Sequence, residues 1–219
     1  MKLISLLKKS ELENTIKLQK RLAKKVITTD FLPRKINKVC GIDVSYSNDI
    51  AFCSAVIVDK NSFDLIKIVN FFIKNSSPYI TGLFMLRESK PILKTLEHLE
   101  EDFDVLLVDG HGQLHPRQCG LACYVGLMIN KPVIGIAKSL LCGLVKNSRV
   151  EIDGNILGYE IKRKKKKIYV SIGHKISLKT AVKIVTELIR DEQWYPDPLR
   201  LADLYSKKSR TSYIRNLNC

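Results

Sequence analysis

Three acidic residues, Asp43, Glu88 and Asp109, are the first candidates for chemistry, although they lie far apart in the chain. Asp109 ends an apolar run over residues 105–108, which has the composition of a short strand buried on both faces. A carboxylate there is costly to desolvate unless a cation or hydrogen bonds compensate its charge. Asp109 therefore indicates either a cation site or a capped turn, and the residues alone leave both interpretations open.

The residues after Asp109 favour the binding of an anion as well as a cation. Gly110 and Gly112 allow a sharp turn and let a ligand approach main-chain N–H groups. Pro116 is tolerated in the first turn of a helix, so we predict a helix from Pro116 to about Asn130. A strand, an acid, a glycine turn and a helix N-terminus together predict a place for a metal and a phosphate.

The order of the elements predicts that Asp43 and Asp109 approach each other. Asp43 lies in the first strand of an antiparallel three-strand meander, and a right-handed crossover then places the fourth strand beside the first. Two carboxylates at that distance repel each other and need a divalent cation between them. Glu88 precedes a predicted helix over the sheet and is a candidate third ligand. This set favours magnesium- or manganese-assisted phosphodiester hydrolysis.

The other elements follow from apolar periodicity and capping signals. We predict an amphipathic helix over residues 10–27, a helix capped by Ser89 with Pro91 in its first turn, and a helix capped by Ser177. Strands are expected over residues 39–47, 51–58, 63–73, 105–108 and 133–137, with more within 151–171. The sequence therefore predicts an α/β fold with a central mixed sheet flanked by helices.

The C-terminal tail is predicted to be partly disordered. After Trp194 it contains Pro196 and Pro198 and then becomes basic and polar, so we expect a flexible tail from about residue 205. No linker is long enough to divide the chain, and we predict one domain over residues 1–219.

The charge of the chain favours a polyanionic partner. Its 219 residues carry a formal net charge of +15 and the pI is about 9.6, which indicates nucleic acid or an anionic membrane surface. No apolar run approaches the length of a membrane span, and the N-terminus lacks the features of a signal peptide. We therefore expect a soluble, cytoplasmic monomer without a membrane partner.

A run of six cations over residues 162–167 has two interpretations. Such a run is usually the solvated tip of a hairpin. Alternatively, Lys164, Lys165 and Lys166 contact the phosphates of a nucleic acid. The sequence does not decide between the two.

The cysteines and histidines raise the possibility of a zinc site, which we reject. His111, His115, Cys119 and Cys123 recur at every fourth residue. Gly112 and Pro116 interrupt any helix that could align them, and the chain has no Cys-x-x-Cys pair. We expect the cysteines to be reduced and mostly buried.

Several motifs together resemble the endonuclease V family, which is directed at deoxyinosine and has a ribonuclease H-like fold. The likeness runs from about Val39 to Ile176. It comprises GIDVSYS at 41–47, PYITGLFMLRE at 78–88, VDGHGQLHPRQCGLA at 108–122, PVIGIAKS at 132–139 and SIGHKIS at 171–177. The blocks follow the family's order and spacing, so the resemblance covers most of the chain.

The resemblance implies a reaction and the residues that perform it. Asp43, Glu88 and Asp109 would hold Mg²⁺, for which Mn²⁺ can substitute, and Lys138 matches a lysine near the scissile phosphate. Asp203 replaces a histidine found in some members and could serve the outer metal shell through water. The enzyme would cleave the second phosphodiester bond 3′ of deoxyinosine in double- or single-stranded DNA, leaving 3′-hydroxyl and 5′-phosphate ends.

The resemblance also implies a pocket for the damaged base. Tyr79 matches a tyrosine that fills the gap left by the flipped base, although a tyrosine in this loop could simply be an anchor. His115 matches a pocket histidine but could equally cap a helix, and Arg117 is structural or contacts a phosphate. The pocket glycines would be Gly82, Gly110 and Gly120.

Two other functions compete with deoxyinosine cleavage in DNA. One is cleavage of inosine-containing RNA, which no feature of the sequence separates from the DNA activity. The other is a non-catalytic nucleic-acid-binding module. The three acids disfavour that module, because carboxylates facing a polyanion weaken binding unless they hold a metal.

Overall fold

The computed structural model describes residues 9–75, 77–78 and 80–217, and Tyr79 lies outside them. A nine-stranded sheet has the order β3-β2-β1-β4-β5-β9-β8-β7-β6. The strands are β1 (Lys38–Ser47), β2 (Ile50–Asp59), β3 (Leu65–Lys74), β4 (Val105–Asp109), β5 (Val133–Ala137), β6 (Leu144–Lys146), β7 (Arg149–Ile152), β8 (Asn155–Arg163) and β9 (Lys166–His174). The helices are α1 (Lys9–Ala23), α2 (Met85–Glu97), α3 (Leu121–Ile129), α4 (Leu178–Glu187) and α5 (Asp197–Leu217). Within the described residues, no helix is both long and apolar enough to cross a bilayer.

The sheet confirms the predicted topology of the strands that carry Asp43 and Asp109. Strands β1, β2 and β3 form the antiparallel meander, and β4 pairs with β1 in parallel. Strand β5 continues the parallel part, and β9 then returns antiparallel beside it. The carboxyl ends of β1, β4 and β5 therefore meet at one edge of the sheet.

Helices cover both faces of the sheet and leave that edge open. The core on one face includes side chains of α4 and α5, and the core on the other includes side chains of α2 and α3. Helix α5 starts directly against β1, because a Cβ on Gly41 would lie 2.3 Å from the Pro198 carbonyl carbon. Glycine at this position brings α5 close to Asp43, two residues further along β1.

Two predicted helix starts were wrong. Helix α3 begins at Leu121 rather than at Pro116, since Gln118 adopts a positive φ of 50° and Gly120 is extended. Helix α2 begins at Met85, so Ser89 lies within the helix and does not cap it. Local signals misplaced both starts because the loops before the helices are held by distant residues.

The predicted disordered tail was also wrong over the described residues. Residues Asp197–Leu217 form α5, with Pro198 in its first turn, where proline is tolerated. Asp197 is buried and its carboxylate pairs with Arg190 and Arg200, both at 2.7 Å. The two ion pairs of this buried carboxylate stabilise the start of α5, which the prolines did not indicate in the sequence.

Candidate active site

The sheet register brings two of the predicted acids together. In the β1–β4 ladder, Ile42 pairs with Val108. The next residues along these strands are Asp43 and Asp109, so their backbones are about 4.8 Å apart across the sheet. Lys138 follows the last residue of β5, the next strand in the same edge. The register therefore places two carboxylates and one ammonium side by side, where the parallel pairing of β1, β4 and β5 ends.

Glu88 reaches the same place from the first turn of α2, not from the loop before it as the sequence suggested. Its side chain is buried, with 5% exposed. Pro91 has no N–H, so it cannot donate the helical hydrogen bond to the Arg87 carbonyl one turn earlier. That carbonyl instead accepts hydrogen bonds from the Tyr46 hydroxyl at 3.1 Å and from the Asn75 amide at 2.5 Å. Residues of β1 and of the loop after β3 thus fix the turn that carries Glu88.

These side chains line a cleft of about 360 Å³ at the sheet edge. Helix α5 adds Asp203, whose carboxylate pairs with Lys207 at 2.7 Å. The lining consists of Asp43, Val44, Ser45, Phe84, Glu88, Asp109, Lys138, Asp203, Lys207 and Arg210. The sequence does not predict Lys207 and Arg210 here, because their approach depends on α5, which lies where a flexible tail is expected. We refer to this cavity as the carboxylate cleft.

The carboxylate cleft concentrates negative charge in a poorly solvated space. Burial and the nearby Asp109 carboxylate raise the pKa of Asp43 to about 8. Burial and the charge of Asp43 raise the pKa of Glu88 to about 8 as well. Burial opposes the charge on Lys138, but Asp109, whose carboxylate is 2.5 Å from the ammonium, raises the pKa of Lys138 above its ordinary value.

The donor set of the carboxylate cleft fits a hard divalent cation. Carboxylate oxygens are the ligands that Mg²⁺ and Mn²⁺ prefer, and the raised pKa values of Asp43 and Glu88 indicate charge that lacks compensation. Among the described residues, no three acidic, histidine or cysteine side chains already converge as in a finished metal centre. In the present arrangement, Lys138 supplies the charge that faces Asp109.

A second cavity of about 340 Å³ adjoins the carboxylate cleft, and we call it the base pocket. The two cavities share Phe84, Asp109 and Lys138. Its lining comprises Gln19, Thr81, Gly82, Phe84, Met85, Asp109, Gly110, His111, His115, Gly120, Leu121, Ala137, Lys138, Ser139, Leu140 and Leu141. The four residues predicted here from the described part of the chain, Gly82, Gly110, His115 and Gly120, all belong to it.

One carbonyl group anchors the wall of the base pocket. The Gly82 carbonyl accepts hydrogen bonds from the Gln19 amide at 3.2 Å, from His115 Nε2 at 3.0 Å and from the Arg117 guanidinium. Gly82 has a φ of 77°, which favours glycine. Arg117 also donates to Gln19 at 2.6 Å and so supports the wall, while phosphate contact by Arg117 stays a prediction. Gln19 was not predicted to belong to the site.

His115 is a neutral donor in the pocket wall and not a helix cap. Its Nδ1 accepts from the Arg117 main-chain N–H at 3.2 Å, which leaves the proton on Nε2 for the Gly82 carbonyl. Burial and the Arg117 charge lower the pKa of His115 to about 4. The possible cap is excluded because α3 begins only at Leu121.

Gly120 serves the shape of the loop that forms the floor of the base pocket. A Cβ at Gly120 would lie 2.2 Å from the His111 carbonyl oxygen, which no side chain tolerates. The Gly120 N–H donates to the Gly112 carbonyl at 3.0 Å and closes the same loop. Gly120 therefore permits a close backbone approach, whether or not a ligand contacts it.

The lysine run forms a hairpin tip beside the site rather than part of either cavity lining. Strands β8 and β9 meet between Arg163 and Lys166, and β9 pairs antiparallel with β5, so the tip lies beyond the sheet edge that carries Lys138. Lys164 pairs with Glu192 at 3.2 Å, and the Lys166 ammonium lies 4.3 Å from the Trp194 ring centre. The hairpin is confirmed, and phosphate contact by these lysines stays a prediction.

The histidines and cysteines of the rejected zinc site have other partners. His111 Nε2 bonds to the Ser139 carbonyl at 3.0 Å, and His115 bonds to Gly82. Cys119 and Cys123 are buried free thiols in a small apolar cluster with Leu22 of α1.

The fold and the placement of Asp43 and Asp109 on adjacent parallel strands define a hydrolytic nuclease of the ribonuclease H-like class. The chain belongs to the endonuclease V family: the model of that family, described as Endonuclease V, matches residues 20–204.

Individual relatives agree with this assignment. The chain is 39% identical to endonuclease V of Thermofilum pendens, over 93% of this chain and 89% of the relative. It is 40% identical to endonuclease V of Pyrococcus abyssi, over 90% and 91%. Among solved structures, endonuclease V of Bacillus subtilis matches with a TM-score of 0.86 at 30% identity, covering 96% of this chain and 95% of that one.

A relative has also been solved with nucleic acid. Endonuclease V of Ciona intestinalis, in complex with a 24mer DNA containing an inosine followed by a ribo-adenosine, matches with a TM-score of 0.86. Its sequence is 28% identical, and the match covers 93% of this chain and 99% of that one.

Proposed function

We propose that the chain is a divalent-metal-dependent endonuclease that recognises deoxyinosine in DNA. It hydrolyses the second phosphodiester bond on the 3′ side of the lesion and leaves 3′-hydroxyl and 5′-phosphate ends. The observation that carries this proposal is the pair of adjoining cavities, one charged and one largely uncharged, which share Asp109 and Lys138. Inosine-containing DNA in the complex of the Ciona relative supports it.

The carboxylate cleft performs the chemistry in this proposal. Asp43, Glu88 and Asp109 would hold Mg²⁺, or Mn²⁺ in its place, and Asp203 would serve the ion through water. A bound divalent cation supplies Lewis-acid stabilisation of the charge that develops on the phosphoryl group. Lys138 is already held at the end of β5 and contacts the scissile phosphate as a point charge.

The base pocket performs the recognition. Enzymes of this kind take the base out of the stack, and a mispaired deaminated base costs less to flip than a normal one. We propose that the hypoxanthine ring enters beside Gly82, Gly110, His115 and Gly120. Because the Gly82 carbonyl already accepts three hydrogen bonds, its role is to hold the wall rigid. Tyr79 fills the vacated stack, a role that rests on the sequence alone.

Basic side chains at the hairpin tip and in the lining of the carboxylate cleft hold the phosphate backbone. Lys164, Lys165 and Lys166 belong to the hairpin tip, and Lys207 and Arg210 project from α5 into the carboxylate cleft. Phosphate contacts of this type position the substrate but do not specify its sequence. We also propose that the protein acts as a monomer and as one domain.

A nicking assay tests the function. A labelled duplex with one deoxyinosine is incubated with the wild-type protein in Mg²⁺ or in EDTA, beside a duplex with adenine at the same position. We expect one nick, at the second bond 3′ of the lesion, in Mg²⁺ only. Cutting of both duplexes at similar rates, or cutting in EDTA, would contradict the proposal.

Inosine-containing RNA is a second candidate substrate. The ribo-adenosine that follows inosine in the Ciona complex favours it, because a 2′-hydroxyl is tolerated there by that relative. Matched DNA, RNA and single-ribonucleotide substrates decide between the two. A much higher kcat/KM on RNA would replace the DNA proposal.

A further inference from the structure

Tyr195 lies between the carboxylate cleft and the core, just before α5. Its side chain is buried, with 4% exposed. The Lys138 ammonium lies 4.7 Å from the centre of the Tyr195 ring, within cation–π range, and the same ammonium pairs with Asp109. The Tyr195 ring therefore packs against the Lys138 ammonium, the cation that also faces the Asp109 carboxylate.

The Tyr195 hydroxyl is a buried polar group that contributes no hydrogen bond to the fold of the described residues. It makes no hydrogen bond of normal geometry to any described residue. A buried hydroxyl that lacks a partner destabilises the folded state, so a partner in the working site is expected.

The surroundings of the hydroxyl indicate which partner that is. The Lys138 ammonium that lies against the Tyr195 ring pairs with Asp109 at 2.5 Å, so this chain of contacts places the Asp109 carboxylate beside the tyrosine. A phenolic hydroxyl can donate one hydrogen bond, and a carboxylate can accept it. Burial and the charge of Asp109 also raise the pKa of Tyr195 well above its ordinary value, which agrees with this placement.

We propose that Tyr195 is a positioning residue of the active site. Its ring holds the Lys138 ammonium in the carboxylate cleft, and its hydroxyl donates a hydrogen bond to Asp109 when that carboxylate engages a cation. The inference rests on the proposed function, since Tyr195 acts through Asp109 and Lys138. Tyr195 is not among the residues that the family motifs implied.

The hydroxyl is tested by metal binding without DNA. Mn²⁺ is titrated into the wild-type protein and Tyr195→Phe, and free Mn²⁺ is measured by electron paramagnetic resonance. Loss of a hydrogen bond to a metal-ligating group typically weakens metal affinity 10- to 100-fold, and we expect about tenfold. Tyr205→Phe is the matched control, because Tyr205 also packs under a lysine, Lys208 at 5.2 Å, but lies outside the cleft lining. It should bind Mn²⁺ like the wild type.

The ring is tested by the turnover of inosine duplex at saturating Mn²⁺. Tyr195→Phe keeps the ring beneath Lys138, so its kcat should stay within about twofold of wild type. Tyr195→Leu removes the ring, and its kcat should fall about tenfold with little change in KM. Tyr205→Leu controls for the loss of a partly buried aromatic side chain and should retain kcat.

Two results would overturn the proposal. One is wild-type Mn²⁺ affinity in Tyr195→Phe, and the other is an equal kcat for the Phe and Leu variants at saturating Mn²⁺. If Tyr195→Leu does not fold, the Mn²⁺ titration of Tyr195→Phe still decides. A wild-type protein that binds Mn²⁺ but does not nick inosine DNA would contradict the proposed function and not the comparison of Mn²⁺ affinities.

Discussion

The carboxylate cleft and the base pocket are neighbours of similar size with opposite character. The cleft gathers four carboxylates and three cations, and the pKa values of Asp43 and Glu88 are raised to about 8. The base pocket is lined mainly by backbone and apolar groups, and burial with the Arg117 charge keeps its His115 neutral. Under the proposed function, this contrast assigns the chemistry and the recognition of the base to separate cavities joined by Asp109 and Lys138.

The two cavities also differ in how the chain builds them. The carboxylate cleft is set by strand register, which fixes Asp43 beside Asp109, and by side chains of α2 and α5 that line it. The base pocket is made of loops that converge on the Gly82 carbonyl. Substitutions of the cleft carboxylates should therefore affect cleavage and largely spare binding, whereas substitutions in the pocket should affect the choice of base.

The largest effect is expected for Asp109→Asn. The change removes a charge from the cleft and should lower the rate of nicking at least about a thousandfold, while binding of inosine DNA is largely retained. Single-turnover cleavage and equilibrium binding on the same duplex measure the two effects. Asp64→Asn, an exposed acid between β2 and β3, is the control. Near-wild-type cleavage by Asp109→Asn would show that the reaction centre lies elsewhere.

The corresponding change in the base pocket is His115→Ala. It removes one of three donors to the Gly82 carbonyl, so the wall should loosen and the preference for inosine over adenine should fall about tenfold. The ratio of kcat/KM on the two duplexes measures this preference. His98→Ala, at the C-terminal end of α2, should leave the ratio unchanged. A slower reaction on both duplexes with an unchanged ratio of kcat/KM would contradict the proposed division of roles between the two cavities.

A smaller effect is expected from the cations of α5. Lys207 lines the carboxylate cleft and Lys208 does not, although the two are adjacent and equally charged. Lys207→Ala should weaken binding several-fold and reduce the slope of log affinity against log salt by about 0.9, the value for one phosphate contact. Lys208→Ala should change the slope less. Equal slopes for both variants would exclude a specific contact of Lys207.

The smallest effect concerns stability and pH in the absence of metal. Asp43 and Glu88 have pKa values of about 8 in the fold, so between about pH 4 and pH 8 the folded protein binds more protons than the unfolded chain. Their contribution is thus present at low pH and is lost as the pH rises through 8. In EDTA, Tm should fall by a few degrees from pH 6 to pH 8.5.

Two comparisons sharpen that test. Mg²⁺ should remove most of the decline, because it binds the folded state only. Asp43→Asn should flatten the decline in EDTA. An equally steep decline in this variant would mean that other groups cause it.

The sequence predicted the sheet better than the loops. Strands β1 to β5 and the Ser177 cap of α4 were visible because apolar alternation and capping are local; the Ser177 hydroxyl accepts from the Thr180 N–H as expected. The start of α3 was missed because the loop before it is determined by contacts such as the Gly120 N–H to the Gly112 carbonyl. Proline signals alone could not reveal that closure.

The same distinction applies to the site. The three acids could be proposed because two of them lie on strands whose order was predictable. Gln19 could not, since it meets the Cys119 carbonyl from 100 positions away, and no local pattern marks it. Lys207 could not be predicted, because the helix that brings it to the cleft was expected to be a flexible tail. Tyr195 comes just before that helix and was missed for the same reason.

The central claim is that the carboxylate cleft is the metal-dependent reaction centre, and the anomalous scattering of Mn²⁺ tests it most directly. Crystals of the wild-type protein and of Asp109→Asn would be soaked in Mn²⁺, and anomalous difference maps calculated at the manganese edge. We expect a peak in the cleft between Asp43 and Asp109 for the wild type, and a weak or absent peak for the variant. A peak outside the cleft, or one of equal height in the variant, would contradict the account.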